Sequence, residues 1–276
     1  MQGFTYIEEN GEVDLDKVAE LLQAGQVGGR VLYVIREAVA RDHCLQMQRN
    51  FSTIIAREMN NRPDDGFVRT EQIGSSQFHK TGREYMASTL ACGSNVMELF
   101  DGLDNRTIRS LYRDEQLERY FAQRQMTYRP ALHLTTCANF ATTRRWLDNG
   151  EMSLMPHEDS AQLAFAARDD FEVAGAQNVI SSNICISDAS QGGELVVWNL
   201  KPDAALRESF GVQDTGYPYP LDFVSRYESF SVRLAPGDLY FLNASYLHGV
   251  RSSLRNERIT AGRFLASLGD KVVYWS

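Results

Sequence analysis

The stretch Met155-Pro156-His157-Glu158-Asp159 places an imidazole and a carboxylate two residues apart. On a β-strand, alternate side chains face the same side, so His157 and Asp159 can hold one metal ion together. Glu158 would then point to the opposite side. Because a chain of this length contains such pairs by chance, the pair needs support from other parts of the sequence.

His248, in the segment Tyr246-Leu247-His248-Gly249-Val250, is the candidate third ligand. Two histidines and one carboxylate on one face of an octahedron bind Fe(II) in non-haem oxygenases and leave the opposite positions open for a co-substrate and oxygen. A lone histidine in so apolar a segment is more often a buried structural residue. The assignment therefore depends on the residues that come after His248 in the chain.

Arg258-Ile259-Thr260 begins ten positions after His248. On a strand, Arg258 and Thr260 face the same way. A guanidinium binds a carboxylate through two parallel hydrogen bonds, so with a hydroxyl beside it the pair suits the far carboxylate of a dicarboxylic co-substrate. The alternative is a solvated charge on an edge strand, because Arg251, Arg255 and Arg263 lie nearby.

The order of apolar runs predicts an α+β fold. Helical spacing or composition predicts helices over residues 14–25, 38–59, 84–100 and 107–125, whereas Val31-Leu32-Tyr33-Val34-Ile35 predicts a buried strand. Residues 1–12 predict a short leading strand or arm, residues 60–66 a loop, and residues 67–83 a loop or weak strand over the mouth of a cavity. Short strands separated by turn residues are predicted over 140–148, 152–157, 178–187, 194–200, 228–234, 238–243, 246–251, 257–267 and 271–275.

Many short strands after a helical segment favour a double-stranded β-helix, a jelly-roll or cupin-like barrel, with the N-terminal helices packed on it. The helical part covers about residues 1–127 and the barrel about residues 128–276. No Gly/Ser/Pro-rich tether separates them, so a single domain over residues 1–276 is predicted.

Composition narrows the class of protein. A formal net charge of −8 argues against a general nucleic-acid binder. We find no apolar run that could span a membrane and no signal peptide at the N-terminus. The four cysteines are scattered singly, as in a reducing compartment. These features predict a cytoplasmic protein that acts on a small molecule, and they leave a homodimer open.

Several segments carry a resemblance to a known family: Gly192-Gly193-Glu194-Leu195-Val196-Val197-Trp198, Pro236-Gly237-Asp238-Leu239-Tyr240-Phe241-Leu242-Asn243, Arg258-Ile259-Thr260-Ala261-Gly262-Arg263-Phe264-Leu265 and Val272-Val273-Tyr274-Trp275-Ser276. With the order His157, Asp159, His248, Arg258, Thr260, residues 128–276 resemble the Fe(II)/2-oxoglutarate-dependent oxygenases. The segments are similar to the branch that contains freestanding indole-alkaloid halogenases and β-hydroxylases of N-acylated, for example N-succinylated, amino acids.

The resemblance implies that His157, Asp159 and His248 bind Fe(II), that Arg258 and Thr260 bind 2-oxoglutarate, and that O2 is the oxidant. The halogenases of this branch carry Gly at the position of Asp159, which leaves room for a halide on the iron. A carboxylate at this position therefore predicts hydroxylation, with the β-carbon of an N-acylated amino acid as the expected target.

Other outcomes stay open at this point. The same centre could desaturate, epoxidise or cyclise a substrate, and the substrate could be a free amino acid or a natural-product intermediate. A non-catalytic cupin-like metal-binding protein is disfavoured by the Arg-x-Thr pair. A zinc hydrolase would need a further general base, which no motif supplies.

Candidates for substrate binding are weaker. Arg83 and Arg168 are the first cations to test if the substrate carries carboxylates, with His79 and Arg145 in the same class; solvated charges are the alternative. Asn183 could face the co-substrate or make a structural hydrogen bond. The aromatic residues of the 217–227 segment could line a pocket or anchor the loop to the core: Tyr217, Tyr219, Phe223, Tyr227.

Overall fold

The computed structural model of the chain describes residues 3–57, 69–147, 150–189, 191–253 and 258–276. The loop predicted over residues 60–66 lies outside these ranges, as do residues 67–68 of the segment predicted to cover the cavity mouth. In the described part, no helix is both long enough and apolar enough to cross a membrane.

Five helices occupy the N-terminal part: α1 Leu15–Ala24, α2 Arg41–Arg57, α3 Gly82–Leu99, α4 Asn105–Leu111 and α5 Asp114–Ala122. Local signals set the ends of the first. The Asp14 carboxylate accepts hydrogen bonds from the N–H groups of Asp16 and Lys17, and Gly25 ends α1 with φ 75°, a left-handed conformation that favours glycine. The predicted helix boundaries at Asp14 and Gly25 are thus explained by capping.

The prediction of one helix over residues 107–125 was wrong. Arg113 adopts φ 62° and divides the segment into α4 and α5. Its guanidinium donates to the backbone carbonyls of Gly11 and Ala38, and the next residue, Asp114, is buried in an ion pair with Arg263. These contacts with distant parts of the chain replace the continuous helix that the local pattern predicts.

Fifteen strands are described: β1 Ile7–Asn10, β2 Leu32–Arg36, β3 Thr70–Ile73, β4 Thr127–Pro130, β5 Leu132–His133, β6 Thr136–Cys137, β7 Thr142–Trp146, β8 Met152–His157, β9 Ile180–Ser187, β10 Leu195–Trp198, β11 Ser229–Val232, β12 Leu239–Asn243, β13 His248–Arg251, β14 Ile259–Leu268 and β15 Lys271–Trp275. Short helices interrupt the later strands: α6 Gln162–Ala166, α7 Ala204–Phe210 and α8 Leu221–Val224, besides two 3-10 turns, Ala167–Asp169 and Glu172–Gly175. These helical pieces were not predicted.

Most strands form two sheets. The larger has nine strands, in the order β1-β2-β12-β9-β14-β15-β4, and β7 also pairs with β14 and carries β3. The smaller is antiparallel, in the order β11-β10-β13-β8. Because β1, β2 and β3 join the larger sheet, the N-terminal part contributes strands as well as helices to the barrel.

Strand β2 shows how the layers are arranged. Leu32 and Val34 pack between the two sheets, in a cluster with residues of β10, whereas Tyr33 and Ile35 pack outward against the N-terminal helices. Both faces are therefore buried, which explains a continuous apolar run in place of an alternating one. The predicted α+β architecture, a double-stranded β-helix with N-terminal helices packed on it, is confirmed.

Candidate metal centre and its cavity

The structure brings His157, Asp159 and His248 together inside the barrel. His157 is the last residue of β8 and lies directly opposite His248 of β13 in the sheet register. Asp159 lies two residues beyond the end of β8, where its backbone N–H donates to the carbonyl of Ala244 at 2.7 Å. The expectation that both residues of the pair lie on a strand is thus correct for His157 only, although the side chains still converge.

The three side chains are buried and closely spaced. One oxygen of Asp159 lies 3.7 Å from His157 Nε2 and the other lies 3.4 Å from His248 Nε2, and one ligand atom from each residue lies within 4.8 Å of the others. Donors about 2.0–2.2 Å from an ion and at right angles to each other lie about 3 Å apart. The cluster therefore needs only a small contraction to bind a divalent ion on one face.

Backbone carbonyls orient both imidazoles. The Nδ1–H group of His157 donates to the carbonyl of Met155 at 3.0 Å, and that of His248 donates to the carbonyl of Tyr246 at 2.9 Å. Because a carbonyl holds Nδ1–H of each ring, Nε2 is the nitrogen that faces Asp159 and that would bind a metal after losing its proton. The sequence alone could not identify these two acceptors.

The cluster is electrostatically suited to a cation. Burial raises the pKa of Asp159, but the hydrogen bond from His248 and the positive charges of His248, His157 and Arg144 outweigh it and leave the pKa below its usual value. Burial lowers the pKa of His248, and the hydrogen bond and charge of Asp159 raise it above its usual value. The carboxylate thus stays ionised and draws positive charge into the cluster.

Glu158, for which the sequence suggested no role, points away from the cluster into a buried ion pair. Its side chain is fully buried and accepts from Arg207 Nε at 2.7 Å and from the backbone N–H of Ser160 at 2.6 Å. Its backbone N–H donates to the carbonyl of Gly216 at 3.0 Å. Glu158 therefore joins the ligand-bearing turn to the inserted segment between β10 and β11.

The cluster opens into a cavity between the two sheets. Most of its apolar lining comes from strands of the barrel. The lining residues are Phe78, Thr142, Arg144, Trp146, Leu154, His157, Asp159, Ser181, Asn183, Leu195, Tyr217, Tyr240, Leu242, His248, Val250, Arg258, Thr260, Gly262, Arg263, Phe264 and Ser276.

Arg258 and Thr260 reach this cavity together. Arg258 is 2% exposed, and its Nη2 group has no hydrogen-bond partner among the described residues. A buried unpaired donor is costly, so an acceptor in the cavity would stabilise this arrangement. Thr260 Oγ1 accepts from Trp146 Nε1 at 3.0 Å, which leaves the hydroxyl hydrogen to donate. Both groups therefore fit a carboxylate ligand.

A family model described as the carrier-protein-independent halogenase WelO5 matches residues 81–276. The chain belongs to this family. A relative from Pantoea ananatis (strain AJ13355), L-isoleucine 3(1)-dioxygenase, is 44% identical over 275 residues, which cover 99% of this chain and 93% of the relative. Family and relative together confirm the predicted branch of Fe(II)/2-oxoglutarate-dependent oxygenases.

Solved structures support the same fold. An N-substituted L-amino acid dioxygenase from Burkholderia ambifaria AMMD aligns with a TM-score of 0.58 at 18% identity, covering 96% of this chain and 92% of that one. The same enzyme in complex with alpha-KG aligns with a TM-score of 0.53 at 16% identity and the same coverage. At these identities the likeness shows the fold alone.

The two arginines predicted for the substrate do not line the cavity. Arg83 lies exposed in the first turn of α3. Arg168 pairs with Asp214 at 3.2 Å and lies 3.9 Å from the centre of the Phe165 ring. Neither Arg83 nor Arg168 is among the described residues that line the cavity of this member of the WelO5 family. Their role in substrate binding stays a prediction.

Of the weaker candidates for substrate binding, some line the cavity and others do not. Tyr217 and Asn183 line the cavity, and Asn183 lies against Gly262. Arg145 instead pairs with Glu71 at 2.8 Å, outside the cavity lining. The ring of His79 contacts those of Phe165 and Tyr217, and the other aromatic residues of the 217–227 segment anchor it to the core: Tyr219, Phe223, Tyr227.

Arg144, which lines the cavity, was not among the residues predicted from the sequence. The available signal was the alternation of Thr142, Arg144 and Trp146 along a predicted strand. All three line the cavity. The sequence could not say which face of that strand is inward.

Proposed function

We propose that this chain uses Fe(II), 2-oxoglutarate and O2 to hydroxylate an unactivated C–H bond of a free L-amino acid with a branched aliphatic side chain, as a single oxygenase domain. The observation that carries the proposal is the buried cluster of His157, Asp159 and His248 in the same cavity as the unpaired Arg258 donor. This combination would place a metal site and a carboxylate site in one cavity.

His157, Asp159 and His248 would hold the iron through two imidazole nitrogens and one carboxylate oxygen. The family is described by halogenases, but Asp159 supplies a ligand that occupies the position a halide would need. The negative charge of the carboxylate also disfavours an anion beside it. Both arguments support hydroxylation over halogenation in this chain.

Arg258 and Thr260 would bind the far carboxylate of 2-oxoglutarate, the guanidinium through its unpaired Nη2 and the threonine through its hydroxyl hydrogen. When bound, the iron would activate O2 with two electrons from 2-oxoglutarate, which is oxidised to succinate and CO2, and so supply the chemistry that oxidises a C–H bond. The chain's own residues hold both in place and limit the entry of water.

The choice of substrate rests on the comparison at 44% identity, since that relative is named for L-isoleucine. The N-substituted amino acid dioxygenase, at 18% identity, supports the fold only, so an N-succinylated substrate becomes the second candidate. Apolar cavity residues such as Leu154, Val250 and Phe264 suit an aliphatic side chain. Oxidation at the β-carbon stays a prediction.

A substrate panel tests the proposal. L-Isoleucine, L-leucine, L-valine and N-succinyl-L-isoleucine are each incubated with the Fe(II)-loaded chain, 2-oxoglutarate, air and chloride. We expect succinate release with a free branched amino acid and a product heavier by one oxygen atom, whose position is read by NMR. Loss of two hydrogens would mean desaturation, and a chlorinated product would contradict the role given to Asp159.

Ligand variants provide the internal control. His157→Ala and His248→Ala should abolish succinate formation while the far-ultraviolet circular dichroism stays unchanged. Turnover in either variant would show that the metal assignment is wrong. A wild-type chain that oxidises none of the panel would reject the substrate class.

A further inference from the structure

The exposed face of α3 carries no charge over most of its length. The helix runs from Gly82 to Leu99, and the sequence from 85 to 97 contains no Asp, Glu, Lys or Arg. Among the described residues four large hydrophobic side chains are exposed, and two of them lie on this face, Leu90 at 72% and Met97 at 75% exposure. Because the outer face of a surface helix usually carries charged and polar residues, this face is suited to contact another molecule.

Six exposed residues form a single row along α3 and the turn that follows it. Successive members are separated by 4, 3, 4, 3 and 4 positions, which is the spacing of residues along the seam between packed helices. From the N-terminal end the row is Arg83, Ala87, Leu90, Ser94, Met97 and Asp101. Since this spacing is the same in both directions, the row of one chain can lie antiparallel against the row of an identical chain.

Antiparallel packing of two copies brings opposite charges together at both ends of the row. A two-fold axis beside residue 92 places Arg83 against Asp101 of the second copy, and the symmetry repeats this contact at the other end. Neither side chain has an ion pair among the described residues. Glu98, which lies near Asp101, is already paired with Arg57 of its own chain at 2.9 Å. The two charges at the ends of the row are therefore complementary to those of a second copy.

The inner positions of the row pair large side chains with small ones. The same axis places Met97 against Ala87 of the second copy and Leu90 against Ser94. Large residues that face small ones let two helices approach closely and let their side chains interdigitate. Ala91, which is also exposed, adds a further small residue beside the axis. The row is thus complementary to itself in size as well as in charge.

We propose that this row on α3 is the contact between two copies of the chain, packed antiparallel about a two-fold axis in a homodimer. The inference does not depend on the proposed function, because none of the six residues lines the cavity. A helix of this length is about 27 Å long, so the contact is smaller than the roughly 800 Å² per partner of a standard interface. We therefore expect a dissociation constant in the micromolar range.

Sedimentation equilibrium over about 1–100 μM protein measures the association. Leu90→Glu places a carboxylate in the middle of the row of each copy. Leu45→Glu is the matched control, since Leu45 is also an exposed leucine of a helix but lies on α2, outside the row. Melting curves in dilute solution, where the wild type is monomeric, show whether each variant is folded.

A charge exchange tests the register. Arg83→Glu and Asp101→Arg each place like charges at both ends of the contact, whereas the variant with both changes restores opposite charges. We expect Leu90→Glu to weaken the dimer at least about 100-fold and each single charge reversal about 3- to 30-fold. The doubly changed chain should lie within about threefold of the wild type, and Leu45→Glu should be unchanged.

Several results would overturn the inference. A wild-type chain that stays monomeric up to about 100 μM has no such dimer. A dimer that persists in Leu90→Glu would place the interface on another surface. If the doubly changed chain is as weak as Arg83→Glu and Asp101→Arg alone, the antiparallel register is wrong. Equal weakening in Leu45→Glu would show a general effect of added charge.

Discussion

Removing Arg207 should destabilise the chain far more than removing an arginine from a surface ion pair. Glu158 lies between the proposed metal ligands His157 and Asp159 in the sequence, and its side chain is fully buried. Its charged partner is Arg207 at 2.7 Å, whose side chain is 20% exposed. Breaking a buried pair costs about 3–5 kcal/mol, because the remaining charge is left in the interior. The Ser160 N–H group still bonds Glu158 at 2.6 Å, so we expect the lower end for Arg207→Met, about 3 kcal/mol.

The assay is thermal unfolding followed by circular dichroism. For a chain of this size, about 3 kcal/mol corresponds to a Tm lower by roughly 6–12 °C. Arg168→Met is the matched control, since Arg168 pairs with Asp214 but both side chains are about half exposed, at 48% and 57%. A pair so exposed contributes about 0–1 kcal/mol, so the control should melt within about 4 °C of the wild type.

A double variant separates charge from packing. Glu158→Gln in the Arg207→Met background removes the buried charge and should recover part of the lost Tm. Equal shifts in Arg207→Met and Arg168→Met would refute the reasoning, because burial would then have no influence on the strength of the pair. A double variant that melts below both single variants would do so as well.

Three further predictions concern single residues. Gly93→Ala should raise the free energy of unfolding by about 0.5–1 kcal/mol, measured in urea, because Gly93 lies inside α3 and an added Cβ meets nothing within 4 Å. Arg258→Lys should weaken 2-oxoglutarate binding to the Ni(II)-loaded chain about 10- to 100-fold by calorimetry, and unchanged binding would reassign the carboxylate site. Gly262→Ala should lower the free energy of unfolding by about 1–3 kcal/mol and slow succinate formation, because the added Cβ would lie 1.8 Å from Asn183 Oδ1. Adding Asn183→Ala to this variant should restore the stability, and no recovery would refute the clash.

Prediction from sequence succeeded where neighbouring residues carry the signal. The helix predicted over residues 14–25 and the buried strand predicted from the apolar run of β2 each depend on a few adjacent positions. The short strands of the barrel were found for the same reason, because turn residues separate them. The helix over residues 107–125 failed because the contacts that divide it come from residues far away in the chain.

Prediction of the candidate site from the sequence also succeeded for some residues and not for others. The order of His157, Asp159, His248, Arg258 and Thr260 along the chain identified five residues that the structure places in one cavity. By contrast, Arg83 and Arg168 were chosen by charge and position alone, and both are exposed. Charge is visible in a sequence, but burial depends on how the sheets close.

The sequence by itself determined the kinds of side chain that can hold a metal and a dicarboxylate, and the order in which they appear. The tertiary structure alone decided that Asp159 converges on the histidines from beyond the end of β8, that Glu158 turns away to Arg207, and that Arg144 faces inward. The physical reason is that these arrangements depend on pairing between β-strands and on ion pairs across tens of residues. Such contacts form only when the two sheets close around the cavity, and no local pattern records them.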